Sequence, residues 1–135
     1  MITRRMAILD FLAIGLFGSL HPAVAAPRRS RAMQMLDADN DGTVDLDEAK
    51  KAAETAFDKL DRDHDGTLDR RELRGRLSAA QFAAADPDKD GTFSKDEYLS
   101  LVENRFKAAD RDNDGTLDES ELRSRAGLAL LRLLR

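Results

Sequence analysis

The sequence predicts an all-α domain in which short helices join four copies of one twelve-residue loop. Three observations predict this class. The same acidic segment recurs four times along the chain. The segments between the copies have apolar side chains at helical spacing. Those segments are also only 12 or 13 residues long, too short for two helices each, so neighbouring copies must share a helix. The 135 residues leave room for one small domain.

Residues 1–25 have the three parts of a signal peptide. A basic start precedes an apolar stretch, Met6–Leu20, and Ala23-x-Ala25 is a small-residue cleavage site. The apolar stretch is shorter than the roughly 20 residues that span a bilayer, so a cleaved leader is favoured over a transmembrane anchor. We predict no stable membrane anchor after cleavage, a flexible basic tail over residues 26–35 and the repeat domain over residues 36–135.

The four copies begin at Asp37, Asp61, Asp86 and Asp110, at separations of 24, 25 and 24 residues. Each copy has Asp at positions 1, 3 and 5, Gly at position 6 and Glu at position 12, which is the EF-hand pattern. Oxygens at positions 1, 3 and 5 surround a hard cation, position 7 provides a backbone carbonyl, and Glu at position 12 binds with both oxygens. Glycine at position 6 allows a turn with positive φ. The sequence therefore predicts four metal sites.

The predicted metal ligands follow from these positions, with position 9 included. They are Asp37, Asp39, Asp41, Thr43, Asp45 and Glu48 in loop 1; Asp61, Asp63, Asp65, Thr67, Asp69 and Glu72 in loop 2; Asp86, Asp88, Asp90, Thr92, Ser94 and Glu97 in loop 3; and Asp110, Asp112, Asp114, Thr116, Asp118 and Glu121 in loop 4.

Carboxylates are crowded in every loop. Loops 1, 2 and 4 each have five among the ligand positions, and loop 3 has four because Ser94 replaces Asp at position 9. Five carboxylates around one divalent ion leave strong mutual repulsion, and a trivalent ion of calcium-like radius offsets more of it. Magnesium is disfavoured because it is smaller and loses water reluctantly. We expect loop 3 to be the least selective of the four for a trivalent ion.

The connections between the loops are of two kinds. Ala49–Leu60 and Tyr98–Ala109 are predicted as uninterrupted helices. In the middle connection, Gly75 and a capping box that starts at Ser78 indicate a break and a fresh helix. The break, together with an apolar residue at position 8 of each loop, lets loops 2 and 3 pair through short strands and leaves loops 1 and 4 to meet. Residues 122–135 are predicted to cover the core rather than to bind a membrane.

The predicted core is small. After leader cleavage the chain has five aromatic residues, which are Phe57, Phe82, Phe93, Tyr98 and Phe106. Burying them can barely offset the conformational entropy of the chain, and the clustered carboxylates oppose compaction. We therefore expect folding to be coupled to metal binding.

Composition disfavours several other functions. The chain has no cysteine, and its two histidines, His21 and His64, have no histidine partner at ligand spacing. His64 lies at loop position 4, which is not a ligand position. Loops of this kind leave no organised open coordination position, so we predict that the protein is not an enzyme.

The net charge of −4 disfavours nucleic-acid binding. Only Met33 and Met35 remain after leader cleavage, which is too few for the methionine-rich groove of a sensor. A chelator or buffer is therefore favoured over a sensor. We also expect a monomer.

Three further features are distinctive: the short repeat, Asp at position 9 of three loops, and segments such as Ala56–Asp61, Leu73–Ser78 and Arg105–Asp110. In these features nearly all of residues 26–135 resembles the lanmodulin family, the periplasmic lanthanide-binding EF-hand proteins of methylotrophic bacteria. The resemblance implies a periplasmic protein that binds up to four lanthanide(III) ions, with a metal-free chain that is disordered. The alternative is a periplasmic Ca²⁺ buffer or sensor. The family has Pro at position 2 of its loops, which only Pro87 matches here.

Overall fold

The computed structural model describes residues 28–135, which form a mainly helical domain with two small sheets. In chain order the elements are α1 (Arg31–Leu36), β1 (Val44–Asp45), α2 (Leu46–Leu60), β2 (Thr67–Asp69), α3 (Ala79–Ala85), β3 (Thr92–Ser94), α4 (Lys95–Ala109), β4 (Thr116–Leu117), α5 (Glu119–Arg123) and α6 (Arg125–Leu131). The predicted signal peptide, residues 1–25, lies outside the described residues.

Two fifteen-residue helices, α2 and α4, form the frame of the domain and pack against each other. The predicted helices Ala49–Leu60 and Tyr98–Ala109 are confirmed, and each begins three residues earlier than predicted. The earlier starts follow from capping, because the side chain at loop position 9 accepts the backbone N–H of position 12 and so starts the helix inside the loop. Each helix is about 22 Å long, and it separates the two loops at its ends by that distance.

The second half of each loop is extended and contributes one strand to a two-stranded antiparallel sheet. β1 pairs with β4, with Val44 opposite Leu117, and β2 pairs with β3, with Leu68 opposite Phe93. These four position-8 side chains are fully buried. The sheets give the backbone around position 8 of each loop its partners in the neighbouring loop. The all-α class predicted from the sequence is therefore correct for the helices and omits the sheets.

The N-terminal part of the described chain is helical. The sequence predicts a flexible basic tail over residues 26–35, and within that range the structure has helix from Arg31 onward, where Ser30 caps α1 by accepting the Met33 N–H at 3.1 Å. Met33 and Leu36 are 1% and 6% exposed. Their spacing of three residues puts both on one helix face, which docks onto the domain. The basic composition of this segment concealed that short apolar face.

The chain turns after loop 2 instead of continuing as a helix. Gly75 has φ +85° in this turn, a conformation that favours glycine. The predicted capping box follows: the Gln81 N–H donates to Ser78 Oγ at 3.2 Å, and the Ser78 N–H donates to Gln81 Oε1 at 3.0 Å. The fresh helix start predicted at this point is confirmed as α3.

The C-terminal segment, residues 122–135, contains the end of α5, the whole of α6 and four non-helical residues after α6. Ser124 ends α5 and caps α6 by accepting the Gly127 N–H at 3.0 Å. Five leucines of this segment are buried: Leu122, Leu130, Leu131, Leu133 and Leu134. The segment therefore covers the core, and α6 packs on α4. Within residues 28–135, no helix has the length and hydrophobicity needed to span a membrane.

All five aromatic side chains of the predicted core are buried. Phe57 and Tyr98 pack edge to face with ring centroids 5.8 Å apart, and Phe82 and Phe93 do so at 4.8 Å. The Tyr98 hydroxyl donates to the Leu133 carbonyl at 2.5 Å, which ties α4 to the C-terminal segment. Burial raises the pKa of Tyr98 to about 12.

Candidate metal centres

The first carboxylate of each loop is buried at the end of a helix. Asp37, Asp61, Asp86 and Asp110 are between 4% and 9% exposed. One oxygen of each accepts the backbone N–H of the position-6 glycine at 3.0 Å. This hydrogen bond closes the first half of the loop, and the burial leaves an anionic group that a cation would stabilise.

The carboxylates at positions 3 and 5 hold the turn of the loop. Each position-3 oxygen accepts the N–H of position 5 at 3.1 to 3.3 Å. Each position-5 oxygen accepts the N–H of the position-7 threonine at 2.8 Å and its hydroxyl at 2.8 to 2.9 Å. Among the hydrogen bonds of residues 28–135, these carboxylates use only Oδ1, so Oδ2 keeps its acceptor capacity for a cation.

The glutamate at position 12 connects the two ends of its loop. In loop 1, Glu48 Oε1 accepts the N–H of Ala38 at 2.7 Å, and Oε2 accepts the N–H of Asp45 at 3.0 Å. Glu72 and Glu121 make the equivalent two bonds in loops 2 and 4. In loops 1 and 4 the position-9 aspartate completes a capping box with this glutamate. Loop closure and the start of the exit helix therefore depend on the same pair of side chains.

Loop 3 lacks one of these connections. Its position 2 is Pro87, which has no N–H to donate to Glu97. The Ser94 N–H donates to Glu97 Oε2 at 2.8 Å, as position 9 does in the other loops, and the Ser94 hydroxyl adds a second bond to the same oxygen at 3.0 Å. The oxygens that converge in this loop belong to Asp86, Asp88 and Asp90, without Glu97. Proline at position 2 therefore separates the geometry of loop 3 from that of the other three loops.

The donor geometry fits a hard cation. Oxygens of positions 1, 3 and 12 lie within 4.8 Å of one another in loops 1, 2 and 4. Ligands at 2.3–2.6 Å from one Ca²⁺-sized ion can be no more than about 5 Å apart, so one ion can contact all three. Each group consists of carboxylates alone, the donor type preferred by Ca²⁺ and other hard cations.

The predicted ligands fall into two sets. Positions 1, 3 and 12 converge in loops 1, 2 and 4, and positions 1, 3 and 5 converge in loop 3. The position-9 side chains act as helix or turn caps, and the position-7 threonine hydroxyls bond within the loop. The ligand roles of all these residues stay predictions.

Crowding changes the acidity of the position-3 carboxylates. The pKa values of Asp39, Asp63, Asp88 and Asp112 are all raised. The backbone N–H at position 5 is the largest single influence and lowers each pKa, but desolvation and the neighbouring carboxylates together outweigh it. The pKa values of Asp41 and Asp90 are lowered by hydrogen bonds from the following threonine. A bound cation would relieve the repulsion at position 3.

The residue at position 4 of each loop has a left-handed backbone conformation, which we did not predict from the sequence. Asn40, His64, Lys89 and Asn113 all have positive φ, between 57° and 62°. Asparagine tolerates this left-handed conformation better than most residues. Its presence at position 4 of loops 1 and 4 is the feature of the sequence that could have predicted the positive φ. His64 is exposed, as expected of a residue that is not a ligand.

Loop 1 is contacted by the Arg29 side chain, an interaction that no pattern in the sequence predicts. Arg29 Nη1 donates to Asp37 Oδ2 at 3.1 Å and to Asn40 Oδ1 at 3.3 Å, and Nη2 donates to the Asn40 carbonyl at 3.2 Å. The guanidinium therefore lies against the first carboxylate of the loop. In the sequence, Arg29 is one of several arginines in a basic segment.

Comparison with known proteins agrees with this geometry. A family model described as EF hand matches residues 30–51, 53–78 and 101–124, which together make up more than half of the chain. The matched stretches contain loops 1, 2 and 4, and loop 3 lies outside them. No curated protein matches the chain. The chain therefore belongs to the EF-hand family of metal-binding proteins, and its acidic loop clusters can hold metal ions.

Proposed function

We propose that this protein is a chelator that binds lanthanide(III) ions in its EF-hand loops. The observation that carries the proposal is the carboxylate count, five in each of loops 1, 2 and 4, of which three converge within 4.8 Å. Repulsion among the carboxylates is the same whichever ion binds, whereas their attraction to the ion scales with its charge. A trivalent ion therefore gains more from each added carboxylate than Ca²⁺ does.

We also propose that the loops work as two pairs, 1 with 4 and 2 with 3, and that folding is coupled to metal binding. The paired strands and their buried position-8 side chains support coupling within each pair. The crowded carboxylates support coupling to folding, because without a cation they repel one another in the folded chain more than in an extended one.

The second candidate function is that of a Ca²⁺ buffer or sensor. Membership of the EF-hand family favours it, since Ca²⁺ is the usual ion of such loops. Between a buffer and a sensor, the methionines favour the buffer. Within residues 28–135 they are Met33, which is buried, and Met35, which is exposed, and two methionines cannot line a target-binding groove.

Export to the periplasm, a monomeric state and the absence of enzymatic activity are parts of the same proposal. Export is supported by the basic, apolar and small-residue parts of residues 1–25. A binding role is supported by the donor sets, which surround an ion with carboxylates rather than presenting an acid, a base and an open coordination position.

A far-ultraviolet circular dichroism titration of residues 26–135 tests the proposal. Lanthanum and calcium are added separately, with chelators that fix the free ion concentration. We expect helix to form at a far lower free concentration of La³⁺ than of Ca²⁺. An equal or stronger response to Ca²⁺ would establish the Ca²⁺ buffer instead, and no response to either ion would refute metal-coupled folding.

A further inference from the structure

Loops 1 and 4 offer an internal comparison. They are strand partners, each has five carboxylates at the ligand positions, and each has asparagine at position 4. Their first carboxylates are equally well buried, with Asp37 at 4% and Asp110 at 9% exposed. Among the ion pairs of residues 28–135, only Asp37 of the four position-1 aspartates has a cationic partner, and that partner is Arg29. The ion pair with Arg29 therefore distinguishes the first carboxylates of two loops that have the same number of carboxylates.

Arg29 contacts the first carboxylate of loop 1 and the backbone carbonyl of its position 4. Asp37 Oδ2 accepts both the Gly42 N–H at 3.0 Å and Arg29 Nη1 at 3.1 Å. The Asp37 side chain is fully buried, whereas the Arg29 side chain is 42% exposed. The second nitrogen of the guanidinium donates to the Asn40 carbonyl. Arg29 thus supplies positive charge to a buried carboxylate that a metal ion would also require.

The chain next to Arg29 is anchored, which holds the guanidinium close to the loop. The Ser30 N–H donates to Glu119 Oε2 of loop 4 at 3.3 Å, and Ser30 caps α1. Met33, one turn further on, is 1% exposed. Because the anchor is part of the same chain, Arg29 competes for Asp37 as an intramolecular ligand at a fixed effective concentration.

We propose that Arg29 is a resident cation of loop 1 that an incoming metal ion must displace, so that loop 1 binds more weakly than its partner, loop 4. The proposal rests on metal binding by these loops. In the metal-free chain Arg29 neutralises Asp37; in the loaded chain the ion takes that carboxylate and the guanidinium moves into solvent. Loop 1 then fills after loop 4, and the position of residues 28–30 reports its occupancy.

Displacement can be told apart from simple repulsion by the charge of the ion. If Arg29 leaves, breaking its contacts costs the same whichever ion enters, so removing Arg29 raises the affinities of loop 1 for La³⁺ and Ca²⁺ by the same factor. If Arg29 stays and repels the ion, the gain scales with ionic charge and is larger for La³⁺. The first outcome is expected here.

The test uses chain labelled with ¹⁵N at glycine and arginine and titrated separately with La³⁺ and Ca²⁺. The Gly42 and Gly115 amides, each bonded to the first carboxylate of its loop, report loops 1 and 4. Arg29→Gln is compared with Arg28→Gln, which removes the same charge one residue away. We expect Arg29→Gln to raise the affinity of loop 1 by about fivefold for both ions, as for a partly exposed ion pair, with loop 4 unchanged.

Two further readouts complete the experiment. The Arg29 Nε–H resonance should move together with Gly42 as loop 1 fills, and Arg29→Lys should retain part of the effect, since it keeps the charge and loses the forked contact with Asn40. Equal loop 1 affinities in Arg29→Gln and Arg28→Gln would overturn the proposal, as would an Arg29 resonance that does not move. Amides that respond to neither ion would instead overturn metal binding itself.

Discussion

Replacing Ser94 by aspartate tests whether carboxylate number sets ion preference. Ser94 occupies position 9 of loop 3, the only loop with four carboxylates at the ligand positions. Aspartate caps the exit helix at this position in loops 1 and 4, so the substitution keeps the cap and adds one charge. It also removes the hydroxyl that donates to Glu97 at 3.0 Å, an effect that is the same for every ion.

The expected size of the effect follows from Coulomb's law. Position 9 usually reaches the ion through a water, which places its charge about 5 Å away. In a water-like dielectric, one unit charge at that distance attracts the ion by about 0.8 kcal/mol per unit of ionic charge. La³⁺ therefore gains about 0.8 kcal/mol more than Ca²⁺ does. The La³⁺ to Ca²⁺ affinity ratio of loop 3 should rise about fourfold at low salt, and less at high salt.

The Gly91 amide, which donates to Asp86 at 3.0 Å, reports loop 3 in glycine-labelled chain. Ser94→Asn is the matched control, since it has the size and capping ability of aspartate without the charge. Chelator-buffered titrations of both variants give the two affinities for each ion. A ratio that is the same in Ser94→Asp and Ser94→Asn would refute the idea that carboxylate count determines the preference for trivalent ions.

Three other substitutions test parts of the structure. Gly115→Ala should weaken ion binding to loop 4 by roughly fivefold in calorimetry, because φ is +87° there while the added methyl group meets nothing within 4 Å. Tyr98→Phe removes the bond to Leu133 and should lower the free energy of unfolding of the metal-loaded chain by about 1 kcal/mol. Folding raises the pKa of Tyr98 from 10.0 to about 12. The stabilisation by the neutral Tyr98 hydroxyl is therefore complete below pH 10 and is lost between pH 10 and about 12. The free energies of unfolding of Tyr98→Phe and the unsubstituted protein should converge in that range. Gly127→Ala places a methyl carbon against the Glu121 carbonyl oxygen and 2.6 Å from the Leu122 carbonyl oxygen, and it should lower the free energy of unfolding by about 2 kcal/mol in thermal unfolding.

Each of these predictions has an outcome that would contradict it. An unchanged loop 4 affinity in Gly115→Ala would mean that the left-handed conformation is not needed in the loaded loop. A Tyr98→Phe variant that is equally stable at pH 8 would show that the Leu133 contact contributes nothing. A Gly127→Ala variant with unchanged thermal stability would show that α5 and α6 do not pack as closely as described.

The loops were predictable because their determinants are local. All the residues that close loop 1 lie between Asp37 and Glu48, so the pattern within one segment is enough to find it. The same is true of the capping box at Ser78, where the partners are three residues apart. Local hydrogen bonds between neighbouring residues leave a direct trace in sequence spacing.

Some features that the sequence did not predict depend on distant partners, and others on a bond pattern that only the structure reveals. Helix α1 is stabilised by burying Met33 against elements far along the chain, so its arginine-rich sequence resembled a tail. The break at Ser124 divides an apolar segment into α5 and α6, and α6 packs against α4. The separation of Glu97 from the other carboxylates of loop 3 follows from the missing N–H of Pro87, a consequence visible only once the bond in loop 1 is known.

The capping boxes at the ends of loops 1 and 4 have a consequence for protein engineering. Asp45 and Glu48, and likewise Asp118 and Glu121, are at once loop residues and the first turn of a helix. Ion preference and helix stability are therefore not independent variables at these positions. A library that varies them to retune selectivity would also vary the yield of folded protein, so selection on binding alone would favour stable caps over better discrimination. Libraries confined to side chains outside the cap, such as residues other than proline at position 2, would separate the two traits.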